Sequence, residues 1–211
     1  KHPIISENLM GIKRKLGVKQ ISKKPILLND LKLIIQAITN EKNEFKKIQN
    51  KALILIGFAG GFRRSELVSI EYDDVDFVNE GVKINIKKSK TDQVGIGMIK
   101  AIPYFENTKF CPVVSLKEWI NYAKINSGRI FKISDKSVAL IVKKYALISG
   151  LDHSKYAGHS LRSGFATSTA ETGADERSIM AMTGHKTTQM VRRYIQEANL
   201  FKNNALNKIK I

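Results

Sequence analysis

A chain of 211 residues, 43% hydrophobic and 26% charged, is long enough for one globular domain with its own core plus a short extra segment, and is neither disordered nor fibrous. The longest near-apolar run, Ala52 to Phe62, falls short of the roughly 20 residues that span a bilayer, and the lone Cys111 excludes an internal disulfide and a thiolate zinc site. Thirty-six Lys and Arg against 19 Asp and Glu leave +17, which points to a polyanionic partner; a basic surface typical of a Lys-rich proteome is the competing explanation, and charge alone does not separate the two.

In chain order, Lys1 to Lys24 carries seven basic residues and one acid, Glu7, and reads as the end of a helix followed by a basic linker, with Pro25 as the boundary. Pro3 and scattered charges interrupt any leader-like apolar stretch, so a reducing, cytoplasmic compartment fits. Asn29 and Asp30 offer a cap for a helix containing Leu31, Leu33, Ile34 and Ile35. A second helix is expected from Glu44 through Ile56, stopped by the glycines near 60, and a third from about Arg63 with Leu67 and Ile70. Val82, Ile84 and Ile86 alternate with Lys83, Asn85 and Lys87, the period of a half-exposed strand; Asn79-Glu80-Gly81 supplies the turn before it and Ile96 to Ile102 a partner strand. Pro112 opens a helix to about Lys124, where its missing N–H costs least. Helices near 136–148, 159–172, 175–182 and 187–195 follow. The tail from Glu197, with Leu200, Phe201, Leu206 and Ile209, is compatible with one more amphipathic helix. The expected fold class is mainly α with a small antiparallel β-sheet (α+β).

Several short segments could carry chemistry. His159 and Arg162 stand three apart, so on a helix an imidazole and a guanidinium share a face; that pair suits a phosphate, although a solvated helix face is the commoner meaning of H-x-x-R. Gly184-His185 is followed nine residues later by Tyr194, flanked by Arg192 and Arg193, which would help hold a phosphate and favour the phenolate. Taken singly, a Gly-His is usually a helix C-cap and a helical Tyr a packing side chain. Arg63 and Glu66 stand three apart at a helix start. They are either a surface ion pair of little worth or a second phosphate-gripping arginine with Glu66 orienting an imidazole. Lys88-Ser89-Lys90-Thr91 follows the strand, where a turn holds a lysine at the sheet's tip; a solvated hairpin turn is the plainer reading.

In this order and at these separations, Arg63, Lys90, His159-x-x-Arg162, Gly184-His185 and Tyr194 resemble the active-site series of the tyrosine recombinases, the family of phage integrases and Xer enzymes. GFRRSEL resembles the family's first-arginine box, HSLRSGFAT with TGHKTTQMVRRYI resembles the second, and the likeness covers about residues 25 to 196. It implies a tyrosine recombinase catalytic-domain fold over 25–211, with a tail helix. Residues 1–24 resemble the end of the separate core-binding domain that normally precedes it. It implies that Arg63 and Arg162 clamp a scissile phosphate with His185 as third donor, and that Tyr194 is the nucleophile forming a 3′-phosphotyrosyl link. It implies that Lys90 protonates the departing 5′-oxygen, while His159, steadied by Glu66, manages the nucleophile's proton. Lys87, Lys88 and Lys90 compete for the acid's role. Lys90 is preferred because Ser89-Lys90-Thr91 resembles the integrase turn, with Lys88 second and otherwise a DNA contact. The partner implied is double-stranded DNA, with a homo-tetramer on DNA at full length. No cofactor, metal, small-molecule substrate or membrane enters.

Three rivals remain on the sequence: a catalytically inactive DNA-binding relative, a strand-relaxing topoisomerase with the same chemistry, and a metal-dependent nuclease built on Glu71, Asp73, Asp74 and Asp76. The complete residue set argues against the first. The acidic run falls between a helix and a strand, where turn-forming Asp is ordinary.

Overall fold

Alternating apolar residues build the sheet. The computed structural model describes residues 2–17, 23–87, 97–185, 187–199 and 205–209. In it β1 (Val75–Val78), β2 (Gly81–Ile86) and β3 (Met98–Pro103) form one antiparallel sheet in that order. Val82 faces Ile102 and Ile84 faces Lys100 across β2–β3, and Val82, Ile84, Ile86 and Ile102 are buried. β1 is not announced by the sequence, where its neighbourhood reads as an acidic turn. Tyr72–Asp74 does form a 3-10 turn, but Val75 and Phe77 then pair with Ile84 and Val82. Four residues with one Asp carry too weak an alternation to signal a strand; β2 supplies the pairing.

The helices are α1 (Pro3–Leu16), α2 (Leu28–Thr39), α3 (Glu44–Ala59), α4 (Arg64–Ser69), α5 (Pro112–Tyr122), α6 (Asp135–Ile148), α7 (His159–Glu171), α8 (Glu176–Thr183) and α9 (Thr188–Asn199). Local chemistry explains four of the starts. Asn43 caps α3 by accepting from the Lys46 N–H, Ser134 caps α6, Asp175 caps α8, and Pro112 occupies the first turn of α5. α2 differs from expectation. It begins at Leu28 without a side-chain cap, and Asp30 instead accepts from the Tyr156 hydroxyl at 2.9 Å and pairs with Lys24. The tail differs too. α9 runs on to Asn199, and Ala205–Lys208 is a 3-10 turn with Leu206 and Ile209 exposed. Leu200 and Phe201 lie outside the described residues. No helix among the described residues is long and apolar enough to cross a membrane.

α3 is the axis of the main core. Ala52 through Ala59 are all buried, and the helix packs against α5, α7 and α2. A helix apolar on every side must lie inside, and each fully buried Leu, Ile or Phe contributes about 1.5–3 kcal/mol. A second, smaller core of Ala166, Ala170, Ile179 and Val191 joins α7, α8 and α9, with Tyr194 and Ile195 packed on it. Small residues on α7 let α9 approach closely. The extended segment before α2 docks on the start of α7, where the Ile26 N–H donates to Ser160 O at 3.0 Å. Gly164 makes that approach possible, because a Cβ there would lie 2.1 Å from the Ile26 carbonyl oxygen.

Gly164→Ala is therefore expected to destabilise the fold by roughly 1–3 kcal/mol, since backbone rather than a flexible side chain must yield. Urea unfolding of the two chains checks it, and an unchanged midpoint would refute the close approach.

Candidate active site

The site starts where α3 ends. Gly60, Gly61 and Phe62 turn the chain, and Arg63 stands at the N-cap of α4. Glu66 reaches back from the first turn: one carboxylate oxygen accepts from the Arg63 main-chain N–H at 2.9 Å, the other from its guanidinium. Glu66 is only 2% exposed, so this is no surface ion pair. The carboxylate's described hydrogen bonds are both to Arg63, whose main chain and side chain it fixes together; the expected contact to His159 is not among the described ones.

Across from this turn, α7 presents His159 in its first turn and Arg162 three residues on. Arg162 is 1% exposed and donates from Nη1 to Gly61 O at 2.8 Å, while its buried Nη2 has no hydrogen-bond partner among the described residues. Burial and then the neighbouring Arg63 lower its pKa to about 10, opposed by Glu66 and by Tyr194, so it stays cationic at neutral pH. An orphaned N–H on a buried cation is costly, and an anion would satisfy it. His159 keeps an exposed edge. Desolvation of its ring, then the Arg162, Arg63 and Arg64 guanidiniums, lower its pKa.

The third wall comes from the end of α8. Gly184 takes the left-handed conformation (φ 64°) and donates to Met180 O, closing the helix and turning His185 inward. Thr183 Oγ1 lies 2.6 Å from Ile179 O and 2.8 Å from His185 Nδ1. The hydroxyl has one proton, and the carbonyl can only accept it. Thr183 must then accept from Nδ1–H, which leaves the Nε2 lone pair of the neutral ring uncommitted. Burial, then Arg162, Arg63, His159 and Lys100, lower the His185 pKa to about 4. Its ring stacks on Tyr194 of α9, with centroids 5.9 Å apart and planes at 28°.

Arg63, His159, Arg162, His185 and Tyr194 are thus brought into one neighbourhood, though they are spread over 132 residues of chain. Lys88 and Lys90 lie outside the described residues. Lys87 is held at 3.0 Å by both Glu71 and Asp74, which raise its pKa and make it a poor proton donor. The same contacts bear on the nuclease reading, because Glu71 and Asp74 converge on a lysine. Among the described residues no cluster of three or more His, Cys, Asp or Glu side chains could hold a metal ion. Arg192 pairs with Glu176 at 3.1 Å. The sequence reading missed two residues, Thr183 and Lys100. Lys100 carried a signal, being at the inward parity of β3 with Ile102 and opposite Ile84; Thr183 carried none.

A small antiparallel sheet on a helical body, with two arginines, two imidazoles and a tyrosine at one opening, is the architecture of a tyrosine recombinase catalytic domain. XerH site-specific recombinase, solved bound to palindromic difH substrate as a post-cleavage complex, superposes with a TM-score of 0.68 at 19% identity, over 89% of this chain and 58% of that one. The chain belongs to the Phage integrase family, whose sequence pattern matches residues 26–200. An integrase/recombinase xerD homolog of Selenomonas ruminantium is 45% identical over 99% of this chain and 64% of its own length. Tyrosine recombinase XerC of Syntrophus aciditrophicus is 30% identical over 70% of this chain and 48% of its own. The chain spans between about half and two thirds of these relatives.

The depressed imidazole pKa values set an acid limit on stability. Between 6.5 and about 4 the unfolded chain binds more protons than the folded one at His185, so stability falls as pH drops through that window. His159 acts in the same direction. His185→Gln should flatten part of this slope in urea midpoints measured from pH 4 to 7; an unaltered slope would remove His185 from the buried site.

Proposed function

We propose that this domain cuts and rejoins double-stranded DNA through a covalent 3′-phosphotyrosyl intermediate, as the catalytic part of a site-specific recombinase. The observation that carries the reading is the buried Arg162 guanidinium with its orphaned Nη2, set among further positive groups and beside Tyr194. A phosphodiester supplies the missing anion, and its transition state gathers charge on the non-bridging oxygens where such donors act.

In this reading Tyr194 Oη attacks phosphorus, the bond to the 5′-oxygen breaks, and one phosphodiester replaces another. No net bond energy is lost, and the released 5′-hydroxyl of a partner strand can reverse the step. Arg63 and Arg162 clamp the phosphate, and His185 joins them once Nε2 is protonated. His159 takes the tyrosine proton and Lys90 gives one to the departing oxygen. The +17 charge supplies affinity through the backbone. Exchange between two duplexes uses four such sites, so the full-length protein acts as a homo-tetramer on DNA, in the cytoplasm.

Nicked suicide DNA, which traps the covalent adduct, tests the reading. Tyr194→Phe should bind DNA and form no adduct, while Arg162→Ala should form it about 10²–10³-fold more slowly, the effect of removing one preorganised donor. Adduct at undiminished yield from Tyr194→Phe would sink the assignment.

The acid is tested separately. Lys90→Ala should be slow on ordinary DNA and largely restored by a 5′-bridging phosphorothiolate, whose leaving group needs no proton. Restoration of Lys88→Ala instead would move the role two residues back.

A further inference from the structure

Lys100 is an anomaly of the fold. It sits at the centre of β3 with no exposed surface, across from Ile84, and its ammonium lies 4.6 Å from the centre of the Phe62 ring. Nζ donates to Gly60 O at 2.7 Å and to Met182 O. No carboxylate is among its described hydrogen-bond or ion-pair partners; Glu66 acts on it only through space. A buried ammonium without a paired anion is destabilising, and an apolar residue of similar volume would serve the core better.

The two carbonyls explain its presence. Gly60 belongs to the turn that delivers Arg63, and Met182 precedes Thr183 and His185 at the end of α8. Arg162 holds the next carbonyl, Gly61 O, so two cations grip consecutive peptides of one turn. Lys100 alone of the two also reaches the α8 end. We propose that Lys100 is a positioning residue, whose ammonium ties the Arg63 turn to the His185 turn and sets the spacing between the two walls of the phosphate cage. This rests on the phosphotyrosyl reading for its consequence, but the tie itself does not.

The charged groups facing Lys100 are Glu66, which favours its proton, and Arg162 and Arg63, which disfavour it. His185 lies within electrostatic reach as well. Desolvation dominates, and the pKa falls to about 7. A phosphate in the cage would raise it. The tie is therefore strongest below neutral pH and weakens as the proton is lost.

Lys100→Met and Lys100→Gln test this in three measurements on the whole chain: thermal midpoint, amide exchange without DNA, and adduct rate on suicide DNA across pH 6–9. Lys100→Met should fold with an equal or higher midpoint. Its amides at 60–63 and 183–185 should exchange at least about tenfold faster, with the α3 core unchanged. Its adduct rate should fall about 10- to 100-fold, the scale of a misplaced reacting group. That deficit should shrink as pH rises past the point where wild-type Lys100 deprotonates. Lys100→Gln, which still offers two N–H groups, should recover part of the rate without that pH dependence. A Lys100→Met chain that does not fold or melts earlier, or that keeps wild-type exchange in both turns, would overturn the proposal. So would a wild-type adduct rate in a chain whose parent cleaves. If the parent forms no adduct, the phosphotyrosyl reading fails, and amide exchange alone decides the tie.

Discussion

Mutual repulsion governs this site. Arg63, Arg162 and Lys100 are gathered with two imidazoles, burial strips water from Arg162 and Lys100 above all, and Glu66 is the described carboxylate whose charge is felt at both of these. Each positive group lowers the affinity of the next for a proton. The rest of the domain must hold these groups together against that repulsion. An anion placed among them would attract each of these positive groups and offset their mutual repulsion.

The fold meets this demand with main-chain dipoles more than with counter-ions. Gly60 and Gly61 turn successive carbonyls toward Lys100 and Arg162, and Met182 adds a third. Carbonyls can hold a cation in place without neutralising it, whereas carboxylates would cancel its charge. Where a carboxylate is used, as with Glu66, it orients Arg63 by binding its main chain and its side chain together. At the hairpin the opposite choice is made. Two carboxylates quench Lys87, just before the segment that holds Lys88 and Lys90.

Stability is unevenly divided between the two halves of the site. Arg63 and its turn are rooted in α3, the helix the main core surrounds. His185 and Tyr194 hang on α8 and α9, joined to α7 through a cluster whose fully buried members include two alanines. Less apolar area is buried there, so α8 and α9 belong to the part of the fold that opens at lower free energy. Tyr194 is carried on that more loosely packed part, while Arg63 sits against the main core.

The sequence by itself determined the helices, the β2–β3 hairpin and the order of the chemical groups. These are local matters: apolar spacing, Pro112 at a helix start, and residue types whose chemistry is intrinsic. It also announced Gly184 as a helix end and His159 with Arg162 on one face. Tertiary structure alone decided the rest. Asp30 gave up a capping role for Tyr156, 126 residues away; β1 exists because β2 offers it partners; the Glu66 carboxylate is buried against Arg63. Thr183 fixes a histidine's tautomer, and Lys100, one lysine among many in the sequence, becomes a buried tie between two turns. Strand parity alone points Lys100 inward, but the partners it finds there lie 40 and 82 residues away, and the packing of whole elements sets them.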